Sequence, residues 1–381
     1  MSGLASLPTS LPPSASGVTL SAGTFTDSMR TVWARFRTRK LAYYSFHFLI
    51  LLYLVAVFAE FLAPYDALRY DLDHPYCPPQ LLNFSFSRGL YVHPLELHIN
   101  PVTFRRIYVE RADVAVPVSF FAQSEPYHLC GIIPLQHKFL GVSTSNAPGT
   151  FYLLGTDKYG RDILSRTIHG ARISLSVGLL GVVITCLLGM TIGGISGYVG
   201  GRTDNLIQRG IEIINSFPHV PLWIAVAATL PRDWSPLRIY FAVTLVLSLL
   251  TWTSLARVVR GKILVLREED YATAARLLGA SHTRILFRHL LPGFTSHIIV
   301  SLTFAIPAMI LGETALSFLG LGLRPPIVSW GVMIQDCLDV QAIRYYPWLL
   351  VPVVFIVLAV LGFNYVGDAL RDAADPYAAQ K

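Results

Sequence analysis

The chain has 381 residues, of which 53% are hydrophobic and only 14% are charged, and its mean hydropathy is +0.52. This composition excludes an ordinary soluble domain and indicates a protein whose solvent is lipid. The formal net charge is +7, but the chain does not offer the basic soluble face with interleaved aromatic residues that a nucleic-acid-binding protein needs.

Long apolar stretches predict membrane-spanning helices. Crossing the hydrocarbon core takes roughly 20 mostly apolar residues in a helix, because every backbone N–H and C=O group must find its partner inside the segment. The third of these stretches contains Pro218, His219 and Pro221 and is the least regular. We therefore predict an all-α integral membrane protein with about six transmembrane helices, at residues 41–63, 173–198, 211–230, 237–258, 295–318 and 348–366.

The distribution of lysine and arginine predicts the orientation of these spans. Basic residues crowd positions 30–40 and recur between spans two and three and between spans four and five. The short loops on the other side hold only Arg232, Arg238, Arg324 and Arg344. Because short cytoplasmic loops carry the excess of basic residues, we expect both termini to lie in the cytoplasm.

These assignments divide the chain into regions. Residues 1–40 are predicted to be a disordered, basic cytoplasmic tail, because the first part is rich in Ser, Thr, Pro and Gly and has no apolar run. The apolar stretch that follows is long enough to span, so we interpret it as a retained anchor and not as a signal peptide. The regions after the tail are the first transmembrane helix at 41–63, an external insertion at 64–152, an interfacial helix at 153–172, a membrane core at 173–370 with a cytoplasmic loop at 257–293, and a cytoplasmic tail at 371–381.

The external insertion between helices 1 and 2 is expected to be a small β-containing domain. Residues 106–121 are strand-like, with Ile, Tyr and Val side chains among charged neighbours, and Pro and Gly punctuate the flanks. Cys77 and Cys130 both fall in the insertion, and an oxidising compartment would let them pair. The alternative is two free thiols.

A short amphipathic helix is predicted in the cytoplasmic loop. Glu268, Glu269 and Asp270 place negative charge at its amino end, and Arg276 places positive charge near its carboxyl end. Gly279 can adopt the left-handed conformation that terminates a helix.

Tyr271, Ala274, Ala275 and Leu278 recur at the helical spacing and form a narrow face of small and apolar residues. A partner can dock on such a face, although intramolecular packing is the commoner use of a loop helix.

The same loop resembles the coupling loop of permease subunits in binding-protein-dependent ABC importers, where an EAA triplet is followed by Gly and later by Leu-Pro. Gly279, Leu291 and Pro292 match this pattern, while Thr273 stands where the triplet has its acidic residue. The resemblance implies contact with a separate ATPase through Glu268, Glu269, Asp270, Tyr271, Ala274, Ala275, Leu278, Gly279 and Ala280.

Three further blocks are similar to the oligopeptide and dipeptide permease family, and their order and spacing agree with it. They begin at Leu153 (LLGTDKYGRDILSRTIHGARISLSVGLL), Gly312 (GETALSFLGLGLRPPIVSWG) and Phe363 (FNYVGDALRDAADP). The long insertion further indicates the Yej-type branch of that family.

This resemblance implies a permease subunit that pairs with a second homologous permease as a heterodimer. It also implies two ABC ATPase subunits or domains, a periplasmic binding protein, an oligopeptide cargo and the bacterial inner membrane. The chain itself is expected to be no enzyme and to hold no cofactor, since ATP and Mg²⁺ would bind to the partner ATPases. It has no phosphate-binding loop of the G-x-x-x-x-G-K-[ST] type and no metal-ligand motif.

Ionisable groups inside spans are functional candidates, because burying them in lipid costs free energy. Glu313 lies inside span five and is a candidate pathway or gate residue. A hydrogen-bonded structural carboxylate is the alternative interpretation of the same residue.

Two more patterns leave alternatives open. Asp157, Arg161, Asp162 and Arg166 are spaced to brace the interfacial helix, with substrate contact as the alternative. A glycine stripe in span two permits close packing against either a partner subunit or a neighbouring span; it consists of Gly189, Gly193, Gly194 and Gly197.

Two rival classes of function remain. An ion-driven secondary transporter would show interrupted helices and an ionisable coupling site, and only Pro218 and Pro221 hint at an interruption. A membrane receptor would need a signalling partner, because the cytoplasmic loop is too short for a signalling domain.

Overall fold

Membrane-length helices flank a small β-rich insertion. The computed structural model describes residues 23–86, 89–102, 106–142, 149–231 and 233–374. In chain order the elements are α1 (Gly23–Thr38), α2 (Lys40–Val57), α3 (Ala59–Leu62), β1 (Asn83–Ser85), β2 (Gly89–Val92), β3 (Leu95–Ile99), β4 (Arg106–Glu110), β5 (Val116–Leu129), β6 (Ile133–Val142), α4 (Ile163–Val199), α5 (Gly201–Asn215), α6 (His219–Ala228), α7 (Pro236–Leu266), α8 (Asp270–Leu277), α9 (His282–Arg284), α10 (Thr295–Phe318), α11 (Trp330–Met333), α12 (Val340–Tyr345) and α13 (Val351–Ala374).

Within the described ranges, five helical segments are long and apolar enough to cross a membrane, and α5 with α6 makes a sixth candidate. That pair is bent by 83° at its break, where Pro218 precedes α6 and cannot donate a backbone hydrogen bond. The prediction of about six transmembrane helices is confirmed. The five unbroken segments are Lys40–Val57, Ile163–Val199, Pro236–Leu266, His282–Phe318 and Pro347–Ala373.

The glycine stripe of α4 packs against α7 of the same chain. A Cβ atom at Gly193 would lie 2.4 Å from the Ala256 carbonyl oxygen, and one at Gly197 would lie 2.7 Å from the Arg260 carbonyl oxygen. Only a residue without a side chain permits backbones this close. Of the two partners left open by the sequence, the neighbouring span is the one in contact at these glycines.

The segment before the first span differs from the prediction. Residues 23–38 form α1, whose Phe36 side chain is only 1% exposed. The Phe36 ring stacks on Trp33 and meets Phe46 of α2 edge-on, with ring centroids 5.4 and 5.9 Å apart. The prediction of disorder is wrong here, because these aromatic side chains have an apolar surface to pack on. Residues 1–22 lie outside the described part of the chain.

The insertion is built from two antiparallel sheets, as the prediction of a β-containing domain requires. The larger sheet has the strand order β1-β2-β5-β6, and β3 pairs with β4. Strands β5 and β6 form a long hairpin with a register shift between Gln123 and Tyr127. The open end of this hairpin packs in a small core with Val92, Val116 and Phe151.

Cys77 and Cys130 are both free in the structure, so the two-thiol alternative holds and the proposed pairing does not. Cys77 is buried, and its backbone N–H donates to Thr156 Oγ1 at 2.8 Å. Cys130 is at the hairpin turn, where its Sγ donates to the Val57 carbonyl at 3.3 Å. Burial raises the pKa of the Cys77 thiol to about 12, which keeps it protonated and unreactive.

Residues 153–172 do not form a separate interfacial helix. Helix α4 begins at Ile163, capped by Asp162, whose carboxylate accepts from the Ser165 N–H at 2.8 Å. In the irregular segment before it, Asp157 accepts from Arg161 at 2.7 Å and from Arg166 at 2.8 Å, with all three side chains buried. A buried ion cluster needs partners on every side, so this segment folds inward and braces the start of α4.

We expect Gly193→Ala to destabilise the protein by about 1–3 kcal/mol or more, because its methyl group would overlap the backbone of α7. Gly261→Ala is the matched control: this α7 position has open space around it, and the change should stabilise the helix by up to about 1 kcal/mol. Thermal unfolding of the detergent-solubilised protein measures both. Equal unfolding temperatures for the two variants would contradict the packing account.

The ion pair of Asp71 and His74, both in the insertion, predicts that the stability of the insertion depends on pH. Although burial opposes it, hydrogen bonds from His74 and Tyr152 lower the pKa of Asp71 from 3.8 to about 2. The hydrogen bond to Asp71 outweighs burial and raises the pKa of His74 above 6.5. The Asp71 contribution is complete above pH 3.8 and the His74 contribution is complete below pH 6.5, so both act between these values.

His74→Gln should therefore lower the unfolding temperature most between about pH 4 and 6.5, and the loss should shrink as the pH rises through the raised pKa of His74. In an Asp71→Asn background the same substitution should have a much smaller pH-dependent effect, because the largest cause of the raised pKa of His74 is then absent. A loss that stays constant from pH 5 to 9 would show that the ion pair does not stabilise the insertion.

Candidate coupling surface and buried carboxylate

Helix α8 has the termini that its sequence predicts. Asp270 lies in the first turn and Arg276 in the last. Gly279 has φ +79°, the Ala280 N–H donates to the Ala275 carbonyl at 3.1 Å, and the Gly279 N–H donates to the Arg276 carbonyl at 3.0 Å. This pair of bonds is the Schellman motif, which satisfies carbonyl groups at the end of a helix.

The outer face of α8 is apolar and exposed. Leu277 and Leu278 are 84% and 87% exposed, and Tyr271 is 40% exposed. Ala272 is fully buried, and Ala275 packs beside it against the core below. The predicted face needs two corrections. Ala275 belongs to the buried side, where a small residue lets α8 approach the turn at residues 285–290, and Leu277 joins the exposed side.

Helix α8 packs on a continuous helical segment, residues 282–294, that leads directly into α10. Ile285, Leu286 and Leu290 are buried and pack with Ile263 of α7. Residues 285–290 form a π-helical turn and residues 291–294 a 3₁₀ turn, so Pro292 lies inside the run and does not end it. Proline fits there because it occupies the first turn of a new helical segment.

Polar contacts tie this loop to the end of α4, and sequence analysis did not single them out. Arg267 donates to the Gly197 carbonyl at 3.0 Å, and Tyr198 OH lies 3.0 Å from His282 Nδ1. Below them Arg260 of α7 makes two hydrogen bonds of 2.6 Å with Asp204 of α5. No spacing rule signals these pairs, since their members lie tens of residues apart.

Glu313 is a fully buried carboxylate held by hydroxyl groups. Its Oε1 accepts from Ser317 at 2.8 Å and from Ser329 at 2.7 Å, and its Oε2 accepts from Ser174 at 3.3 Å. The Ser174 hydroxyl in turn accepts from the Trp330 N–H at 3.1 Å. The carboxylate thereby joins α4, α10 and the start of α11, an arrangement that favours the structural interpretation over the gate.

The blocks that begin at Leu153 and Gly312 meet in space. Trp330 Nε1 donates to the Thr167 carbonyl at 3.0 Å, and just beyond the second block Asp336 forms an ion pair of 2.9 Å with Lys158. Across the described ranges, no group of three or more His, Cys, Asp or Glu side chains is arranged to hold a metal ion.

Glu313→Ala should lower the free energy of unfolding by about 3 kcal/mol or more, because it leaves buried hydroxyl groups without an acceptor. Glu313→Gln keeps an acceptor oxygen and should lose about half of that or less. The control is Glu212→Ala, which breaks an exposed pair with Arg209 and should change stability by under about 1 kcal/mol. If thermal unfolding cannot distinguish Glu313→Ala from Glu212→Ala, the carboxylate is not structural.

Comparison with known proteins agrees with this architecture. Residues 189–379 match the family described as binding-protein-dependent transport system inner membrane component. Residues 28–79 match the N-terminal TM domain of oligopeptide transport permease C. The second match covers α1, α2 and the start of the insertion.

Individual relatives agree as well. The oligopeptide transport system permease protein OppC of Bacillus subtilis (strain 168) is 39% identical over 62% of this chain and 75% of its own length. The dipeptide permease DppC of the same organism is 38% identical, covering 60% of this chain and 70% of that protein. OppC of Haemophilus influenzae is also 38% identical, over 59% and 70%.

Among solved structures, the methionine ABC transporter MetNI in an inward-facing conformation superposes with a TM-score of 0.42 at 15% identity, over 56% of this chain and 98% of that one. This similarity is below the level that indicates a shared fold. The family match covers half of the chain and the B. subtilis OppC match covers three quarters of that relative. The chain therefore belongs to the family of inner membrane components of binding-protein-dependent transport systems, as a multi-pass permease and not as the ATPase.

Proposed function

We propose that this chain is one of two permease subunits of an ABC importer that carries oligopeptides across the bacterial inner membrane. The observation that carries the proposal is the exposed apolar end of α8, where Leu277 and Leu278 project from a helix fixed from below. Adjacent leucines that are exposed together are typical of a surface that another protein covers. The proposed partner at this surface is a cytoplasmic ATPase subunit, which would bind ATP and Mg²⁺.

The peptide cargo is inferred from the relatives, whose names describe oligopeptide and dipeptide permeases. A periplasmic binding protein would deliver the peptide, and a second homologous permease would complete the path. The excess of basic residues near α1, α5 and α7 supports cytoplasmic termini and, with them, a cytoplasmic position for α8.

Transmission of movement from α8 to the spans follows from its contacts. Ala272 and Ala275 pack on the layer of Ile285 and Leu290, which continues into α10. Arg267 and His282 link the same loop to the end of α4. Closure of the ATPase subunits would therefore move α4, α7 and α10 as one packed group and expose the path alternately to each side.

The bend between α5 and α6 is the one observation that favours an ion-driven transporter, since discontinuous helices form coupling sites in that class. The break itself holds Ser216, Phe217 and Pro218 and no ionisable residue. The nearby Glu212 is exposed and paired with Arg209. His219, the first residue of α6, is the titratable group that directly follows the break, so the co-purification experiment below decides between the two classes.

Leu278→Asp should reduce transport-stimulated ATP hydrolysis at least tenfold, because it places a charge where an apolar contact forms. Its effect on unfolding should stay within about 0.5 kcal/mol, since the side chain is 87% exposed. Leu81→Asp in the insertion, 83% exposed, is the matched control and should leave hydrolysis unchanged. Normal hydrolysis and normal recovery of the ATPase with Leu278→Asp would contradict the coupling role.

The assembly itself is tested by isolating the tagged chain from its native membrane in a mild detergent and identifying the proteins that co-purify by mass spectrometry. We expect a second permease and ATPases with phosphate-binding loops. Recovery of the chain alone, at good yield, would support the ion-driven alternative.

A further inference from the structure

Helix α1 folds back beside the first span and does not extend away from it. The Trp33 ring lies 5.5 Å from the Phe46 ring, although the two residues are 13 positions apart. In one continuous helix that separation would place the rings about 20 Å apart. The helix breaks at Arg39, whose backbone is extended with φ −88° and ψ 92°. Helix α1 therefore lies against the bundle, in contact with α2 and α13.

The charged ends of two spans mark the level of the membrane surface beside α1. Helix α2 begins at Lys40, and Arg39 before it forms an ion pair of 2.7 Å with Asp372 near the end of α13. Phe46, which contacts Trp33, is six residues into α2, about 9 Å along the helix from Lys40. The headgroup layer on each side of the hydrocarbon is roughly 5–8 Å thick. Trp33 is therefore near the inner boundary of that layer.

The neighbouring side chains of α2 agree with this level. Tyr44 is 68% exposed, and the Tyr43 ring lies 4.3 Å from the ring of the exposed His47. The Arg37 guanidinium lies 5.9 Å from the centroid of the Tyr43 ring. Tyrosine and tryptophan are enriched where headgroups meet hydrocarbon. A histidine and an arginine at the same level place it among the headgroups and not in the hydrocarbon core.

Helix α1 has a buried side and an exposed side. Phe36 is 1% exposed, and Val32 packs half-buried in the same cluster. Arg30, Trp33 and Arg37 are exposed and recur at i, i+3 and i+7, so they share the outer face. Basic residues beside an exposed tryptophan are typical of a helix that lies in the plane of the membrane surface.

The charge of this region favours an anionic ligand. Residues 28–59 contain five basic residues and no acidic residue. On the adjacent end of α13, Asp372 is paired with Arg39, and Asp368 is one turn away with Arg371 between them. Basic residues next to a span attract the phosphate groups of anionic phospholipids, which lie at this level of a bilayer.

We propose that α1 lies in the membrane surface and that its outer face, formed by Arg30, Trp33 and Arg37, binds the headgroups of anionic phospholipids. The inference requires that α2 and α13 cross the bilayer, and it does not depend on the cargo or on the ATPase. A protein partner that covers the same face is the competing outcome of the test.

The first measurement locates α1 relative to the bilayer. A bimane fluorophore is attached at Ala34→Cys, an exposed position of α1, in the full-length protein purified with its partners and reconstituted into phosphatidylethanolamine–phosphatidylglycerol vesicles. Cys130→Ala and Cys186→Ala remove the more accessible native thiols. Ala112→Cys, an exposed alanine in a charged turn of the insertion, is the matched control. A nitroxide on the phospholipid headgroup and iodide in the water serve as quenchers.

We expect the headgroup nitroxide to quench the label at position 34 at least threefold more than the label at 112, and iodide to show the opposite preference. Quenching at 34 by iodide alone would overturn the proposal by placing α1 in water. Protection from both quenchers would overturn it by showing that protein covers this face.

The second measurement tests the selection of headgroup charge. The complex is reconstituted with equal amounts of phosphatidylglycerol and phosphatidylcholine and purified again, and its retained lipids are counted by mass spectrometry. Arg30→Gln combined with Arg37→Gln should lower the ratio of retained phosphatidylglycerol to phosphatidylcholine at least twofold. Arg106→Gln combined with Arg111→Gln removes the same charge from exposed positions of the insertion and should keep the wild-type ratio. Equal ratios in the two double variants would show that α1 does not select anionic lipid.

Discussion

The close contact of α4 with α7 is the constraint on which the rest of the molecule depends. Gly193 and Gly197 bring the two backbones together, and Ser248 of α7 donates to the Gly181 carbonyl of α4 at 3.2 Å. Helix α4 has 37 residues, about 55 Å of helix, so it reaches beyond the membrane on both sides. Its amino-terminal end is fixed by the Asp157 ion cluster, and its carboxyl-terminal end carries the contacts to the loop that contains α8.

The spans also hold the short helix α8 in place. Helix α8 has only eight residues, too few to be stable in isolation. Its Ala272 is buried and its Ala275 half-buried on a layer that α7 and the start of α10 already form. Its orientation is thus set by the spans, and any force on its outer leucines acts on a packed unit.

Sequence alone predicted the features that depend on local pattern. The spans follow from apolar length, and the end of α8 follows from Gly279, whose φ of +79° is one that glycine adopts without strain. The β-containing insertion follows from alternation and turn residues. Prediction failed where a distant partner decides the outcome.

Helix α1 exists because its Phe36 packs on Phe46 in the next helix, and Cys77 and Cys130 stay apart because the fold places one in the core and one at a hairpin turn. The Asp204–Arg260 pair joins residues 56 positions apart and leaves no local signal. The segment that holds the candidate site could therefore be predicted from the sequence. Which side of α8 is buried and which is exposed could be assigned only from the structure.

The π-helical turn at residues 285–290 allows the helical segment between α8 and α10 to change its length. A π turn winds one more residue into each hydrogen-bonded loop than an α turn does. If this turn converts to α geometry, the helical run lengthens along its axis by a fraction of one residue's rise, on the order of 1 Å, without losing its continuity. The connection between α8 and α10 can therefore change its length, and because Ile285, Leu286 and Leu290 are buried inside this turn, such a change also repacks the layer under α8.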